Sequence, residues 1–159
     1  MENQIIAFIP ELTKQVENGN KTQTRRLKGL EKVNVSPDDY RFDGVDEKDP
    51  NIYYFEELKV GEPTENYIIA RSKYKVGEII NVESTDKKIQ ITAVRAERLQ
   101  NISFEDCKKE GTTYFIQNNK DVDNLLALES FMKKWDSLPD LKFDWSYNPF
   151  VWVYEFKLV

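Results

Sequence analysis

The sequence contains no histidine and only one cysteine, Cys107. The first absence excludes Ser-His-Asp and Cys-His catalysis and every zinc site that uses histidine ligands. A lone cysteine cannot form an internal disulfide, which is typical of a reducing cytoplasm. We interpret Cys107 as an inert core or helix-face residue, because no base is visible to activate its thiol. Any chemistry must therefore use carboxylates, lysine or hydroxyl side chains.

Long apolar runs and glycine-rich motifs are also missing. No apolar run approaches the roughly 18 residues that span a membrane, and Met1–Gln4 lack the basic-then-apolar pattern of a signal peptide. The six glycines are scattered singly, so there is no phosphate-cradling loop. We therefore expect a cytoplasmic protein with no membrane contact, no metal ion and no cofactor.

What is present fits one soluble domain. The 159 residues are long enough for a real core, and the sequence is 40% apolar and 32% charged. No internal repeat divides the chain, so we predict a single domain over residues 1–159. The formal net charge of −5 disfavours nonspecific binding of long nucleic acids, because acidic side chains repel phosphates.

Against this acidic background, residues 19–30 form a basic island. The island carries Lys21, Arg25, Arg26 and Lys28 but no acid, together with the hydroxyls of Thr22 and Thr24. A positive island on an acidic protein indicates an anion-facing site. Gly19 is predicted to end a helix, so the island follows a helix C-terminus. A solvated turn there is the alternative that residue types alone leave open.

Hydrophobic periodicity predicts an α+β fold. The last strand, 150–158, is the clearest, because every second residue from Phe150 to Leu158 is apolar and shares one face. Prolines and glycines interrupt every periodic run over 31–66, which we interpret as a long irregular excursion. The terminal strands are expected in one sheet or barrel. The other predicted elements are strands 4–9, 67–71, 79–83 and 89–94, the last three in an antiparallel meander, and helices 11–17, 103–109 and 121–135, with Ser103 and Asp121 as the N-caps of the last two.

Four motifs, in order, resemble those of the ASCH family, a branch of the PUA-like β-barrels, and in particular its short phage- and prophage-borne members. They lie at 21–26, 74–78, 94–111 and 135–156. The resemblance implies a PUA-like α+β barrel of mainly antiparallel strands with about three flanking helices. One departure is clear: an Arg-Glu-Thr-Trp run usual in such members is replaced by Glu83-Ser84-Thr85-Asp86, and the segment after it is shortened.

The resemblance also implies two kinds of function. Many ASCH and PUA-like domains are proposed to bind RNA, and one bacterial branch is similar at the first motif to amidohydrolases of acylated cytidine. Its working residues fall here on Lys21, Thr24 and Glu110. A threonine nucleophile needs a base, and without histidine a neutral lysine is the best candidate nearby. The simplest alternative for Glu110 is an exposed residue at a helix end.

We therefore begin with three hypotheses. The first is a basic cleft that binds RNA, a nucleotide or a modified nucleoside through Thr22, Arg25 and Arg26, with Trp145 as a stacking platform. The second is an amidohydrolase for N4-acylated cytidine-type nucleosides that uses Lys21, Thr24 and Glu110. The third is a phage-derived accessory protein without catalysis. The oligomeric state stays open.

Overall fold

The computed structural model describes residues 4–58 and 66–159, which form a mixed α+β fold. In these residues, eight strands form two sheets, accompanied by three α-helices and three short 3-10 turns. The strands are β1 Ile5–Ile6, β2 Gln23–Arg26, β3 Tyr40–Val45, β4 Ile52–Glu57, β5 Tyr67–Arg71, β6 Ile79–Val82, β7 Lys88–Arg98 and β8 Phe150–Leu158, and the helices are α1 Pro10–Glu17, α2 Phe104–Lys109 and α3 Lys120–Asp136.

The larger sheet has the strand order β1-β6-β7-β8-β2. Only the β1–β6 pair is parallel, and the other three pairs are antiparallel. The predicted terminal strands lie in the same sheet, as expected, although β1 is shorter than predicted. The reason is that the chain beyond Ile6 has other partners: Ala7 O accepts from Arg26, and Ile9 O accepts the first amides of α1.

The core lies on both faces of β8. Trp152, Tyr154 and Phe156 face the main apolar cluster, whereas Val151 and Val153 face a second cluster beneath α3. The strand 150–158 is therefore confirmed, and it is covered on its other face as well. Burial on both faces explains why this strand is almost continuously apolar.

The smaller sheet has the order β3-β4-β5 and packs over the same core. Tyr53 meets Trp152 edge-on with 4.8 Å between ring centroids, and Phe55 meets Phe150 at 4.9 Å. The irregular excursion expected over 31–66 is therefore corrected, since its described part contains β3, β4 and two 3-10 turns. Residues 59–65 lie outside the described residues. The glycine that suggested a break, Gly44, sits at a register shift within β3.

Two further expectations about the sheets are corrected. The β6–β7 hairpin forms as predicted, but β5 pairs with β4 rather than extending a meander with β6. In addition, the two sheets do not close into a barrel over the described ranges. In these residues no strand of the smaller sheet pairs with a strand of the larger one, so β1 and β2 remain the edges of the larger sheet.

Local signals at the helix ends explain most of the helix boundaries. Ser103 Oγ accepts from the Asp106 amide at 3.1 Å, as predicted for the N-cap of α2. The cap of α3 is Asn119 rather than Asp121, because Asn119 Oδ1 accepts from the Val122 amide. The buried residues of α3 are Ala127, Phe131 and Trp135, whereas the apolar Val122 and Leu125 are exposed.

Candidate functional site

The basic island folds inward rather than forming a solvated turn. Gly19 has a φ of +82°, which ends α1 and turns the chain toward β2. The amide of Lys21 donates to Gln15 O, and the amide of Thr22 donates to Lys109 O, both at 2.9 Å. These bonds fix the start of the island between α1 and the end of α2. As a result Lys21 is only 2% exposed and Thr24 only 4%.

Lys21 carries three hydrogen bonds on its buried ammonium group. Nζ donates to Gln23 O at 2.7 Å, to Glu110 O at 2.8 Å and to Glu110 Oε2 at 2.9 Å. Burial holds the pKa of Lys21 below its usual value, and this effect outweighs the opposing effect of the Glu110 carboxylate. Nearby Arg26 and Arg25 lower this pKa further.

Glu110 follows the last turn of α2 and is buried, so the alternative of an exposed helix end is wrong. Its second oxygen, Oε1, accepts from Arg25 Nη1 at 2.8 Å. The next residue allows this approach, because Gly111 has a φ of +82° and a Cβ there would lie 2.7 Å from Lys21 Cβ. Glycine at 111 therefore lets the end of α2 sit directly against Lys21.

Arg25 lies at the centre of a buried ion cluster. Its Nη2 donates to Glu97 Oε1 at 2.6 Å and to Asp106 Oδ2 at 3.2 Å, and Arg95 also donates to Asp106. The chain's own acids thus neutralise Lys21 and Arg25. Two of the four cations of the island are therefore already paired within the chain.

The pKa of Asp106, an acid of this cluster, is shifted by its surroundings. Burial works to raise its pKa, but the Gln23 amide and the guanidinium groups of Arg25 and Arg95 outweigh burial. The pKa of Asp106 therefore lies below its usual value. It follows that this carboxylate is charged throughout the neutral range.

Arg26 differs from Arg25 in its partners. Its Nε donates to Thr24 Oγ1 at 3.1 Å and its Nη2 to Ala7 O at 2.7 Å, while the guanidinium lies 4.9 Å from the Phe8 ring centre. In residues 4–58 and 66–159 it forms no ion pair with a carboxylate. Burial lowers the pKa of Arg26, yet an arginine stays charged at neutral pH. Arg26 is therefore a cation that no carboxylate of the described residues pairs with.

These groups meet on the wall of a cavity of about 230 Å³. The cavity is smaller than the roughly 300–1,000 Å³ of sites for drug-sized ligands, so it suits a single small molecule. One part of its lining is polar or charged, consisting of Lys21, Thr24, Arg25, Arg26, Glu110, Thr112 and Lys134. The rest is apolar, consisting of Ala7, Phe8, Ile9, Leu12, Phe131, Trp135, Leu138 and Pro139.

Most of the residues proposed from sequence come together in this cavity, but two do not. Lys21, Thr24, Arg25, Arg26 and Glu110 line it, whereas Thr22 and Trp145 do not. The Trp145 ring packs edge-on against Phe131 with 6.2 Å between centroids. Trp145, which was expected to stack on a ligand, therefore packs beneath α3 instead.

Sequence reasoning missed several residues of the cavity wall. Phe8 lies in the predicted strand 4–9 and Thr112 directly follows the motif at 94–111, but neither residue type indicated a ligand site. Trp135 is buried in the core, with its indole N–H donating to Phe143 O at 3.0 Å. The same ring also lines the cavity, so it serves both roles.

Two properties of the described residues bear on the class of protein. Over residues 4–58 and 66–159, no group of three or more acidic or cysteine side chains is placed to hold a metal ion. None of the helices in that part of the chain is long and apolar enough to cross a membrane.

Comparisons with known proteins give one structural likeness. No family model and no curated protein matches the sequence. The chain is similar to a high-resolution crystal structure of an ASCH domain from Lactobacillus crispatus JV V101, with 14% sequence identity and a TM-score of 0.45. The match covers 98% of this chain and 79% of that chain.

Proposed function

We propose that the chain is an ASCH-type domain that binds a nucleoside-sized ligand in the cavity and hydrolyses an amide bond on it. One observation carries this proposal: a buried lysine–carboxylate pair, Lys21–Glu110 at 2.9 Å, lies on the wall of a small cavity that Thr24 also lines. The expected catalytic residues of the hydrolase hypothesis thus line one cavity. A solvent-exposed RNA groove would not require their burial.

Thr24 is the proposed nucleophile. Its oxygen accepts a hydrogen bond from Arg26 Nε, so the hydroxyl proton remains available for a base. The adjacent guanidinium charge also stabilises negative charge as it develops on the oxygen. A threonine hydroxyl in this setting is easier to deprotonate than one in water.

Lys21 is the proposed base, and Glu110 is its partner. With three acceptors around Nζ, the resting lysine is an ammonium group, so it must lose a proton before it can accept one. Glu110 Oε2 is placed to take that proton, and burial favours the resulting neutral pair.

The proposed amide hydrolysis needs no cofactor. Thr24 Oγ attacks the amide carbon while its proton passes to Lys21 Nζ, which forms a tetrahedral intermediate. Collapse breaks the C–N bond, and the leaving amine takes a proton from the Lys21–Glu110 pair. Water, deprotonated by the same pair, then hydrolyses the acyl-threonine ester and restores the hydroxyl.

The ligand class follows from the walls of the cavity. Phe8, Phe131 and Trp135 supply aromatic surface, and Arg26 supplies a positive charge. These groups suit a planar heterocycle with polar substituents. Together with the resemblance to hydrolases of acylated cytidine, this favours an N4-acylated cytidine over a long RNA, which the net charge of −5 also disfavours.

Binding without hydrolysis is the second candidate. The observation in its favour is the set of three acceptors around Lys21 Nζ, which holds the lysine in its protonated, non-basic form. In that case the same cavity would hold a nucleoside or nucleotide without turning it over. The two candidates share a site and differ only in chemistry.

The test is turnover of N4-acetylcytidine by the purified protein. We expect cytidine and acetate from the wild type and none from Thr24→Val, which keeps the size of the side chain and removes the hydroxyl. Thr22→Val is the matched control, because Thr22 lies two residues away and does not line the cavity. Equal turnover by wild type and Thr24→Val would refute the assignment of Thr24 as the nucleophile. Cytidine binding without turnover would favour the second candidate.

A further inference from the structure

A second cavity, of about 440 Å³, adjoins the one that Lys21 and Thr24 line. The two cavities share five lining residues, which are Arg25, Arg26, Trp135, Leu138 and Pro139. A molecule seated in the first cavity can therefore extend a substituent past these residues into the second. The proposed amide hydrolysis uses the first cavity only.

The second cavity collects cations that the chain does not neutralise. Lys28 is the fourth cation of the basic island, and unlike Lys21 and Arg25 it forms no ion pair over residues 4–58 and 66–159. It lines the second cavity together with Arg26, and Lys142 lines the same cavity from the loop that follows α3. Lys142 and Arg26 are likewise unpaired in the described part of the chain. Both lysines are exposed, so an external group can reach their side chains.

Buried tryptophans hold the backbone at both lysines in place. Trp152 donates its indole N–H to Lys28 O at 2.9 Å. In the other loop, Trp135 donates its indole N–H to the carbonyl of Phe143, the residue that follows Lys142, at 3.0 Å. The two lysines therefore extend from fixed positions. Less conformational entropy is lost when both bind one ligand from such positions than from mobile loops.

The acids of the second cavity limit the charge that it can accept. Glu31 and Asp140 also line it. Since Arg25 is already paired with carboxylates, three unpaired cations and two acids leave a surplus of one positive charge. A surplus of this size suits one anionic group rather than a long polyanion. Lysine and arginine together are the usual donors to a phosphate, which is the common anionic substituent of a nucleoside.

We propose that the second cavity is a phosphate subsite, in which Lys28, Lys142 and Arg26 bind the phosphate of a nucleotide whose base lies in the first cavity. This inference rests on the proposed function, because it takes a nucleoside as the occupant of the first cavity. It narrows the ligand class from a free nucleoside to a nucleotide with a single phosphate. The phosphate is carried on the 5′ or the 3′ oxygen of the sugar.

The experiment compares the binding of cytidine, cytidine 5′-monophosphate and cytidine 3′-monophosphate by calorimetry. The proteins are the wild type, Lys28→Met, Lys142→Met and the double variant, in which methionine keeps an unbranched side chain and removes the charge. Lys32→Met is the matched control, because Lys32 is an exposed lysine close to Lys28 in the chain and lines neither cavity. None of the three ligands has a scissile amide, so the measurement does not depend on catalysis.

We expect the wild type to bind one of the two monophosphates about tenfold more tightly than cytidine. Each single variant should bind that monophosphate about two- to fivefold more weakly and keep the wild-type affinity for cytidine. The preference should shrink at higher salt, because the two lysines are exposed. Lys32→Met should match the wild type with all three ligands.

Two results would overturn the inference. One is equal affinity of the wild type for cytidine and both monophosphates. The other is a preference for a monophosphate that the double variant Lys28→Met/Lys142→Met retains in full, since the phosphate would then bind elsewhere.

The binding data also separate this inference from the proposed hydrolysis. If the wild type shows the lysine-dependent preference but hydrolyses neither N4-acetylcytidine nor its monophosphates, the hydrolysis fails and the subsite stands. If it hydrolyses N4-acetylcytidine and a phosphate adds no affinity, the subsite alone is overturned. No binding of any of the three ligands would overturn the subsite together with the ligand class.

Discussion

Replacing Glu110 by glutamine tests the buried pair at the centre of the site. The change keeps the size of the side chain and removes its charge. Arg25 retains Glu97 and Asp106 as ion-pair partners, whereas Glu110 is the only carboxylate that pairs with Lys21 in the described ranges. The variant therefore leaves Lys21 as a buried cation without a counter-charge.

The size of the effect follows from this geometry. Removing one partner of a buried ion pair typically costs about 3–5 kcal/mol. We expect the lower end, about 3 kcal/mol of unfolding free energy at neutral pH, because glutamine still offers an oxygen to Lys21 and Arg25 keeps two carboxylates.

The pKa of Lys21 determines how the effect of Glu110→Gln on the unfolding free energy changes with pH. Burial already lowers the pKa of Lys21 in the folded protein, and losing the Glu110 charge lowers it further. Between the folded pKa and the unfolded value of about 10.4, the unfolded chain binds more protons than the folded one. The unfolding free energy then rises with pH. The loss of unfolding free energy in Glu110→Gln, relative to the wild type, should therefore shrink toward about pH 10.

Urea denaturation of wild type and variant at several pH values measures this deficit. Glu105→Gln is the control, because Glu105 lies on the same helix and its side chain is 78% exposed. The control should cost little at any pH. A Glu110→Gln protein as stable as the wild type, or a deficit that does not change with pH, would refute the reasoning.

Three further predictions concern the surroundings of this pair. Gly111→Ala should lower the unfolding free energy by about 3 kcal/mol, because its Cβ would lie 2.7 Å from Lys21 Cβ. Gly19→Ala has the same φ of +82° but nothing within 4 Å, so it should lower the unfolding free energy by only about 1 kcal/mol. Equal losses for the two variants would refute the clash. The lowered pKa of Asp106 stabilises the fold above its unfolded value of about 3.9, and this contribution is lost as the pH falls through the folded pKa; acid titrations should therefore show a weaker pH dependence for Asp106→Asn, and an unchanged acid profile would contradict this. Burial raises the pKa of Cys107 to about 11, so iodoacetamide near pH 8 should label it only after denaturation, whereas rapid labelling of the folded protein would be inconsistent with a buried thiol.

The parts of the fold that could be predicted from sequence are those with strong local signals. Helix α2 has a serine cap and a closing glycine, and β8 has nine residues of strand-forming pattern, so both were placed nearly correctly. The hairpin of β3 and β4 was missed because Pro37, Gly44 and Pro50 interrupt its pattern. Its pairing depends on tertiary contacts with β5 and the core, which a local pattern does not contain.

The site shows the same division between local and long-range information. Lys21 and Thr24 stand out as members of a short motif, but Glu110 is 89 positions from Lys21 and only the family resemblance indicated it. The neutralisation of Arg25 was not predictable, because its partners Glu97 and Asp106 come from β7 and α2. A charge pattern along the chain cannot show which acids fold against it.

In the proposed mechanism, the buried Lys21–Glu110 pair acts on a ligand in the adjoining cavity. The most direct measurement is the rate of N4-acetylcytidine hydrolysis by wild type and by Lys21→Met, which keeps an unbranched side chain and removes the amine; circular dichroism checks that both are folded. We predict turnover by the wild type and none by a folded Lys21→Met protein. Hydrolysis by Lys21→Met at the wild-type rate would contradict the account.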